Sequence, residues 1–263
     1  YYFSKSTGVR YQKGFGTVGS KKYYFDPSDG KAKTGWLTLD GKKYYFNDAG
    51  VMLADTIAAI DGTTYRFDSN GVATKTSSDN YTIDGNYVKV YDAKNGKYYY
   101  MEKQFIQHPG IADGTVSDLD LLAAVCDAEA GDQGVIGMEA VALCVLNCTI
   151  DEYKEFPSQI RYVVYQGKPT QYAVVTDGAL LKRLNGQFED RTNAYAAAKA
   201  AMEMFNDYVN RGTKRSLPGF TTKDFNYKFF MTPAAFKAQN LNFSKLEYEQ
   251  YKGHVFFVDW ISG

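Results

Sequence analysis

The tripeptide Tyr-Tyr-Phe recurs through the first third of the chain at an almost constant spacing, and this repeat most constrains the fold. It occurs at residues 1–3, 23–25 and 44–46, and the variant Tyr-Arg-Phe follows at 65–67. Self-similarity at a short fixed period is the signature of a repeat array, in which each unit packs on its neighbours. Residues 1–76 are therefore predicted to form an N-terminal repeat domain.

Turn residues and aromatic side chains together predict the fold of each repeat. Asp-Gly pairs at 40–41 and 61–62 precede the second strand of a repeat, and such pairs are strong β-hairpin signals. The only leucines before residue 77 are Leu37, Leu39 and Leu53, too few for an aliphatic core. We therefore expect a solenoid of short β-hairpins in which aromatic side chains of neighbouring repeats stack.

The rest of the chain is predicted to contain a β-rich linker and an α+β domain. Turn pairs at 84–85 and 95–96 interrupt an alternating pattern and predict two hairpins within a linker over 77–115. Over 116–263, Leu, Ala and Val recur at helical spacing, which predicts a domain with its own core. The predicted elements are a loop at 77–80, helices at about 118–130, 137–149 and 190–210, short helices ending near 165 and starting at 233, and strands at 227–231 and 254–260.

Glu129 is the candidate catalytic residue because of its position in the first of these helices. Leu122, Val125 and Glu129 follow the i, i+3, i+7 rule and are expected on one helix face. A carboxyl on an apolar face loses solvation, so its pKa rises toward the range of a general acid. Glycan-cleaving enzymes need such an acid. Asp127 is expected to point away from this face into solvent.

Charge and histidine content argue against several other functions. Lys and Arg total 30 and Asp and Glu total 30, so nothing favours a nucleic acid or an acidic membrane as a partner. No apolar run of about 18 residues is present, so no membrane span is expected. The only histidines are His108 and His254, so neither a metal site nor a cofactor is expected.

The three cysteines, Cys126, Cys144 and Cys148, cannot form a complete set of internal disulfides because their number is odd. Cys144 and Cys148 lie four residues apart on an apolar helical stretch. Both are therefore expected to pack as small apolar side chains.

The segment 35–46, Gly-Trp-Leu-Thr-Leu-Asp-Gly-Lys-Lys-Tyr-Tyr-Phe, resembles the cell-wall-binding repeats of Gram-positive surface proteins, of which choline-binding repeats are the best known. The resemblance covers roughly residues 1–76. It implies aromatic cages for choline or for other teichoic acid or polysaccharide groups of the wall, with cation–π attraction as the physical basis. The alternative is that the aromatics only hold the repeats together. The candidate wall-polymer-binding residues are Phe15, Tyr24, Trp36 and Tyr45.

The segment 121–147 resembles the catalytic region of the SleB-like, spore-cortex-lytic cell-wall hydrolases. The matching residues are Leu122-Ala123, Ala128-Glu129-Ala130, Gly137, Ala140-Val141-Ala142 and Val145-Leu146-Asn147. Looser matches continue in the same order to residue 258. The resemblance implies a lysozyme-like or lytic-transglycosylase-like fold that cleaves the MurNAc–GlcNAc bond of peptidoglycan, with Glu129 as the catalytic residue and a role in sporulation or germination.

One departure from that family bears on the mechanism. The family often has Arg-Gly-Glu after its Ala-Glu-Ala triplet, and this chain has Gly-Asp-Gln at 131–133. A second acid at residue 133 is therefore not required, and a lytic transglycosylase needs only one acid/base. The remaining candidates, all for substrate binding, are Asp177, Tyr172, Tyr227, Phe229 and His254.

Two other functions remain open at this level. One is an N-acetylmuramoyl-L-alanine amidase or peptidase of the same wall, in which the peptidase would pair Cys126 with His254. The other is a wall-binding protein without activity. The chain starts inside a repeat and shows no signal peptide. We therefore expect a fragment of a longer secreted protein that is extracellular and associated with the cell wall, with peptidoglycan strands and a wall polymer as partners.

Overall fold

The structure is a computed structural model. It describes residues 13–54, 56–60, 63–75 and 81–260. The Tyr-Tyr-Phe tripeptide at 1–3, the Asp-Gly pair at 61–62 and the predicted loop at 77–80 lie outside the described residues. The chain separates into two units, Tyr1–Asp79 and Asn80–Gly263.

The first unit consists of antiparallel β-hairpins, as the repeats predict. β1 pairs with β2, β3 with β4, and β5 with β6, which also pairs with β7. The strands are β1 Gly14–Val18, β2 Lys21–Phe25, β3 Gly35–Leu39, β4 Lys42–Phe46, β5 Thr56–Ile60, β6 Thr63–Phe67 and β7 Ala73–Lys75.

The tight turn between β3 and β4 follows from its sequence. Asp40 and Gly41 both have positive φ angles, 50° and 74°, which a two-residue type I′ hairpin turn requires. Side chains on a strand alternate between faces, so Tyr44 and Phe46 point inward and are buried. Tyr45, between them, is only half-buried and pairs with Trp36 across the hairpin.

Successive hairpins pack through aromatic and Met side chains. Phe46 is fully buried and Met52 nearly so, and they form one cluster with Tyr44. The Met52 amide also donates a hydrogen bond to the Lys22 carbonyl at 2.8 Å, which joins two repeats. Gly71 has a φ of 80°, and a Cβ there would lie 2.5 Å from the Met52 methyl carbon, so glycine is required by both conformation and space.

The second unit combines helices with two three-stranded antiparallel sheets, β8–β9–β10 and β11–β13–β12, and it includes the strands of the segment predicted as a linker. Its strands are β8 Tyr81–Asp84, β9 Tyr87–Asp92, β10 Lys97–Glu102, β11 Phe229–Met231, β12 Tyr248–Tyr251 and β13 His254–Phe257. Its helices are α1 Gln104–Gln107, α2 Asp118–Ala130, α3 Gly134–Cys148, α4 Ile160–Tyr165, α5 Ala173–Thr176, α6 Ala179–Leu184, α7 Arg191–Arg211 and α8 Pro233–Lys237.

The core of this unit lies where α2, α3 and α7 pack together. Helix α2 begins where its sequence predicts, because the Ser117 hydroxyl accepts the Asp120 amide at 3.1 Å. Helix α7 begins in the same way, with the Asp190 carboxylate accepting the Asn193 amide. Leu122 and Val125 of α2 are fully buried, as the apolar stripe predicts.

Asp127 differs from the expectation of a solvated side chain. It is 1% exposed, and its carboxylate accepts hydrogen bonds from Arg183 Nε at 2.7 Å and from the amides of Glu189 and Asp190 at 2.9 and 2.7 Å. Helix α2 packs against α3 on one side and α6 and α7 on others, so it has little free surface. The carboxylate is buried because it binds the start of α7.

The sheet β11–β13–β12 has two different faces. Val255 and Phe257 of β13 pack with Phe236 of α8 in one apolar cluster. By strand alternation His254 and Phe256 point to the opposite face, where both rings contact Phe230 of β11. The chain is thus a mixed helix-and-strand protein with N-terminal β-hairpin repeats, as predicted. A lysozyme-like arrangement of the second unit stays a prediction.

Candidate active site

A cavity of about 450 Å³ in the second unit brings together several of the predicted site residues. Its walls come from the end of α2, the segment before and at the start of α5, and strands β11 and β13. The predicted residues that line it are Glu129, Tyr172, Phe229 and His254.

Glu129 lies in the last turn of α2 and contributes its carboxyl to this cavity. Burial raises the pKa of Glu129 to about 7, and the negative charge of Asp177 contributes in the same direction. Interaction with the Val174 backbone amide partly opposes this rise in pKa. At neutral pH the site therefore holds a carboxyl that is both a proton donor and, after donation, a base.

Tyr172 and His254 form apolar walls beside this carboxyl. Tyr172 is buried, and its ring centroid lies 5.9 Å from that of Phe230. Burial raises the pKa of Tyr172, and the charge of Glu129 is among the smaller contributions. His254 packs on Phe230 at 5.2 Å, and burial lowers the pKa of its imidazole, so the ring is neutral at neutral pH. Within residues 81–260 its Nδ1 atom is buried without a hydrogen-bond partner.

The other two predicted substrate-binding residues do not line this cavity. Asp177 is exposed at the end of α5, where its carboxylate accepts the Ala179 amide at 2.8 Å. Its charge nevertheless acts on Glu129. Tyr227 is 1% exposed, and its hydroxyl donates to Glu249 Oε1 at 3.0 Å, so it belongs to the core.

Trp260 is a lining residue that was not identified from the sequence. Its indole ring is 45% exposed and contacts the rings of Phe229 and Phe257, with centroids 5.7 and 5.3 Å away. An exposed Trp at the rim of a cavity is a surface on which a sugar ring can stack. The sequence feature that could have identified Trp260 is its position at the end of the predicted strand 254–260.

Gln133, which stands where the SleB-like hydrolases often have Glu, has a structural role. It is buried, and its side-chain oxygen accepts the Gly253 amide at 2.6 Å. Its carbonyl accepts the Lys252 ammonium at 2.5 Å. These bonds join the turn after α2 to the turn that precedes His254, so they connect two walls of the cavity.

In the first unit, the four predicted wall-polymer-binding residues lie in two similar aromatic clusters. Phe15 and Tyr24 have ring centroids 5.2 Å apart, and so do Trp36 and Tyr45 one repeat later. Each cluster also contains a ring from the next hairpin, and these two rings were not predicted as site residues. These added rings are Tyr44, 5.1 Å from Phe15, and Tyr65, 4.5 Å from Trp36.

Cys144 and Cys148 pack as small apolar residues, as predicted, and so does Cys126. Cys126, Cys144 and Cys148 are all buried and free. The Cys126 thiol donates to the Met138 carbonyl at 3.3 Å, and burial raises its pKa. Across the described part of the chain, no group of three or more His, Cys, Asp or Glu side chains is placed to hold a metal ion. No helix there is both long and apolar enough to cross a membrane.

Similar solved structures are choline-binding proteins. The choline binding domain of Spr1274 from Streptococcus pneumoniae is 26% identical, with 24% of this chain and 82% of that chain covered and a TM-score of 0.23. Choline binding protein F from the same organism is 24% identical, with 39% and 35% covered and a TM-score of 0.26. The cell wall endolysin of phage Cp-1, complexed with choline, is 23% identical, with 34% and 25% covered and a TM-score of 0.23.

This chain therefore spans about a third or less of the length of the last two proteins. No curated protein matches the chain.

Family comparisons cover both units. Residues 132–257 match the family described as Cell Wall Hydrolase, a range that starts three residues after Glu129. Residues 13–32 match a putative cell wall binding repeat, and residues 33–78 match a choline-binding repeat. The chain thus contains a Cell Wall Hydrolase domain preceded by choline-binding repeats.

Proposed function

We propose that the second unit cleaves the MurNAc–GlcNAc bond of peptidoglycan as a lytic transglycosylase, with Glu129 as its acid and base. The observation that carries this proposal is a carboxyl with a pKa of about 7 in the wall of an aromatic-lined cavity. A general acid is most effective when its pKa lies near the working pH. The Cell Wall Hydrolase match supports the substrate class.

The reaction needs one ionisable group. Protonated Glu129 donates its proton to the glycosidic oxygen, the C1–O bond breaks, and the leaving sugar departs as an alcohol. The Glu129 carboxylate then removes the proton from the C6 hydroxyl of the remaining sugar. That oxygen bonds to C1 and closes a 1,6-anhydro ring, so no water is consumed and Glu129 regains its proton.

Aromatic side chains around the cavity are proposed to bind the glycan. Trp260 and Phe229 give an exposed ring surface for a sugar, and Tyr172 encloses the site beside Glu129. Neutral His254 is a hydrogen-bond donor or acceptor at the same wall and does not add a charge. Tyr172 is buried beside Glu129, and a wall that keeps water from the cleaved bond there favours attack by the sugar's own hydroxyl.

A second candidate is hydrolysis, as in a muramidase, with Asp177 as the other carboxylate. The specific observation is that the charge of Asp177 contributes to the raised pKa of Glu129. Hydrolytic glycosidases use a carboxylate pair, in which the second group activates water or attacks the sugar. Asp177 is exposed at a helix end and so is accessible to solvent.

The peptidase interpretation receives little support from the geometry. A nucleophilic cysteine needs a lowered pKa and access to substrate. Cys126 is fully buried within α2, and burial raises the pKa of its thiol. An amidase would need a metal-ligand set, and His108 is instead buried against the Tyr165 hydroxyl at 2.7 Å. Both alternatives make peptide products, which the experiment below detects.

The repeats are proposed to hold the enzyme on the wall outside the cell. The choline-binding family match supports this role, as do the paired aromatic clusters around Phe15 and Trp36. Aromatic rings bind quaternary ammonium groups by cation–π attraction. The ligand is choline or another group of a teichoic acid or wall polysaccharide.

Glu129→Gln tests the proposed chemistry. Gln keeps the shape of the side chain and cannot donate the proton, so activity on purified peptidoglycan should fall by roughly 10²-fold or more. Glu139→Gln is a matched control, because Glu139 is also a half-buried carboxyl with a raised pKa, and it lies outside the cavity on α3. The control should keep activity.

Mass spectrometry of the products separates the candidates. Anhydro-muropeptides support the transglycosylase, and reducing-end MurNAc with loss of activity in Asp177→Asn supports the muramidase. Free stem peptides would support an amidase or peptidase. Full activity of Glu129→Gln, or no soluble product from the wild-type protein, would overturn the proposed role of Glu129.

A further inference from the structure

A cavity of about 390 Å³ in the first unit lies beside the Phe15 ring. Phe15 is 46% exposed, and its edge contacts the ring of Tyr44 from the next hairpin at 5.1 Å. The cavity thus has two aromatic walls, contributed by two repeats. Its other lining residues include Thr17, Lys22, Met52 and Asn70.

One sequence difference between the repeats lies at this cavity. Hairpin β1–β2 and hairpin β3–β4 have the same register, with Gly16 opposite Tyr23 and Leu37 opposite Tyr44. Leu37 fills its position and packs against the apolar cluster of its hairpin. Gly16, in the equivalent place one repeat earlier, has no side chain and lines the cavity.

Lys22 gives the cavity a positive charge. Its ammonium donates to the Ser69 carbonyl at 3.3 Å, which uses one of its three hydrogens. Within the described residues, no carboxylate lies within ion-pair distance of it. A quaternary ammonium ligand would place a second positive charge beside this one, and like charges repel. The same ammonium favours a phosphate or carboxylate, to which it donates a charge-assisted hydrogen bond.

We propose that this cavity binds an anionic sugar, a saccharide ring that bears a phosphate or a carboxylate, in place of choline. The ring stacks against Phe15 and Tyr44, Thr17 and Asn70 bond its hydroxyls, and Lys22 binds its anionic group. This assignment rests on the proposed wall-binding role of the repeats. The two aromatic clusters then differ in function, since the Trp36 cluster remains available for a different group.

The test measures binding of the full chain by isothermal titration calorimetry at low ionic strength. The probes are N-acetylglucosamine 6-phosphate, glucuronic acid, neutral N-acetylglucosamine and choline. The variant Gly16→Leu puts into the cavity the leucine that the next repeat has at the equivalent position, Leu37. Any binding that this variant loses is therefore binding in this cavity. The variant should abolish binding of at least one anionic sugar and leave choline binding unchanged. The phosphate and carboxylate probes distinguish a phosphorylated polymer from an acidic polysaccharide.

Lys22→Met keeps the apolar stem and removes the charge. It should weaken binding of the anionic sugar by roughly tenfold and leave the neutral sugar unchanged. The matched control is Lys43→Met, because Lys43 holds the same position one repeat later, outside the cavity. This pair of variants keeps the test valid if Gly16→Leu fails to fold.

Three results would overturn the inference: choline binding that Gly16→Leu abolishes, anionic-sugar binding that Lys22→Met leaves unchanged, or no binding of either anionic sugar. Co-sedimentation with purified cell walls separates this failure from failure of the proposed wall-binding role. If neither anionic sugar binds and the wild-type protein still sediments with walls, the repeats bind the wall and the anionic-sugar assignment is wrong.

Discussion

At the scale of single residues, the proposed chemistry depends on where one carboxyl is placed. Glu129 continues the stripe of Leu122 and Val125, so the helix that buries those side chains also removes water from the acid. Helical periodicity made this visible in the sequence. The contribution of Asp177, which lies 48 positions later, was not visible, because its proximity to Glu129 depends on how α5 packs near α2.

The activity should therefore depend on pH with a defined sign. The first step needs the protonated carboxyl, and burial raises the pKa of Glu129 to about 7. Above this pH the protonated fraction falls about tenfold per pH unit, so kcat/KM should decline along that limb. The measurement is the rate of release of soluble muropeptides from pH 5 to 9. A rate that stays constant from pH 7 to 9 would contradict the assigned acid.

At the scale of elements, Asp127 connects the helix that bears Glu129 to its neighbours. Its carboxylate binds Arg183 of α6 and two backbone amides at the start of α7. The sequence predicted a solvated Asp127, since an isolated helix always has a face exposed to solvent. In the structure α2 is the central helix, and that face is covered by α6 and α7.

Asp127→Ala should destabilise the protein by about 2 kcal/mol, because the change removes a buried carboxylate that accepts from Arg183 and from two backbone amides at the start of α7, and leaves Arg183 with the exposed Glu189 as its ion-pair partner. Urea denaturation of the wild-type and variant proteins at pH 7 measures the loss in the free energy of unfolding. Asp207→Ala is a suitable control, because Asp207 forms an exposed ion pair with Arg211. A loss below 1 kcal/mol for Asp127→Ala would show that this network contributes little.

The three long helices were predicted, and so were the short helices α4 and α8, whereas α5 and α6 were not. The predicted helix at 118–130 coincides with α2, and the helix at 190–210 is shifted by one residue from α7. Helices α5 and α6 contain four and six residues, less than two turns, so they show no apolar periodicity. Strand β12 was also missed, because it carries polar residues on an edge of its sheet.

At the scale of the whole molecule, the proposed function divides the work between the two units, one for binding and one for cleavage. A wall is insoluble, so an enzyme tethered to it meets its substrate at a raised local concentration. This benefit is absent for a small soluble substrate. The two units are therefore expected to contribute differently on the two kinds of substrate.

Removal of residues 1–79 should test this division. The remaining unit, Asn80–Gly263, has its own buried core of helices α2, α3 and α7. Its cleavage of purified walls should fall roughly tenfold or more, while its cleavage of soluble glycan fragments should remain within about twofold of the full chain. Dye release from labelled walls and chromatography of soluble products measure the two rates. Equal loss on both substrates would contradict a tethering role for the repeats.

The sequence by itself determined the features that depend on periodicity. These are the hairpin repeats with their Phe15–Tyr24 and Trp36–Tyr45 pairs, the main helices, and an acid on an apolar stripe. A local pattern is sufficient for them because neighbours in a helix or hairpin are fixed by backbone geometry.

Only the tertiary structure decided which distant side chains meet. It brought Tyr172, His254 and Trp260 to the cavity of Glu129, placed Tyr227 in the core, and buried Asp127. The physical reason is that such contacts depend on the packing of whole elements, and packing is a property of the complete fold that no short segment encodes.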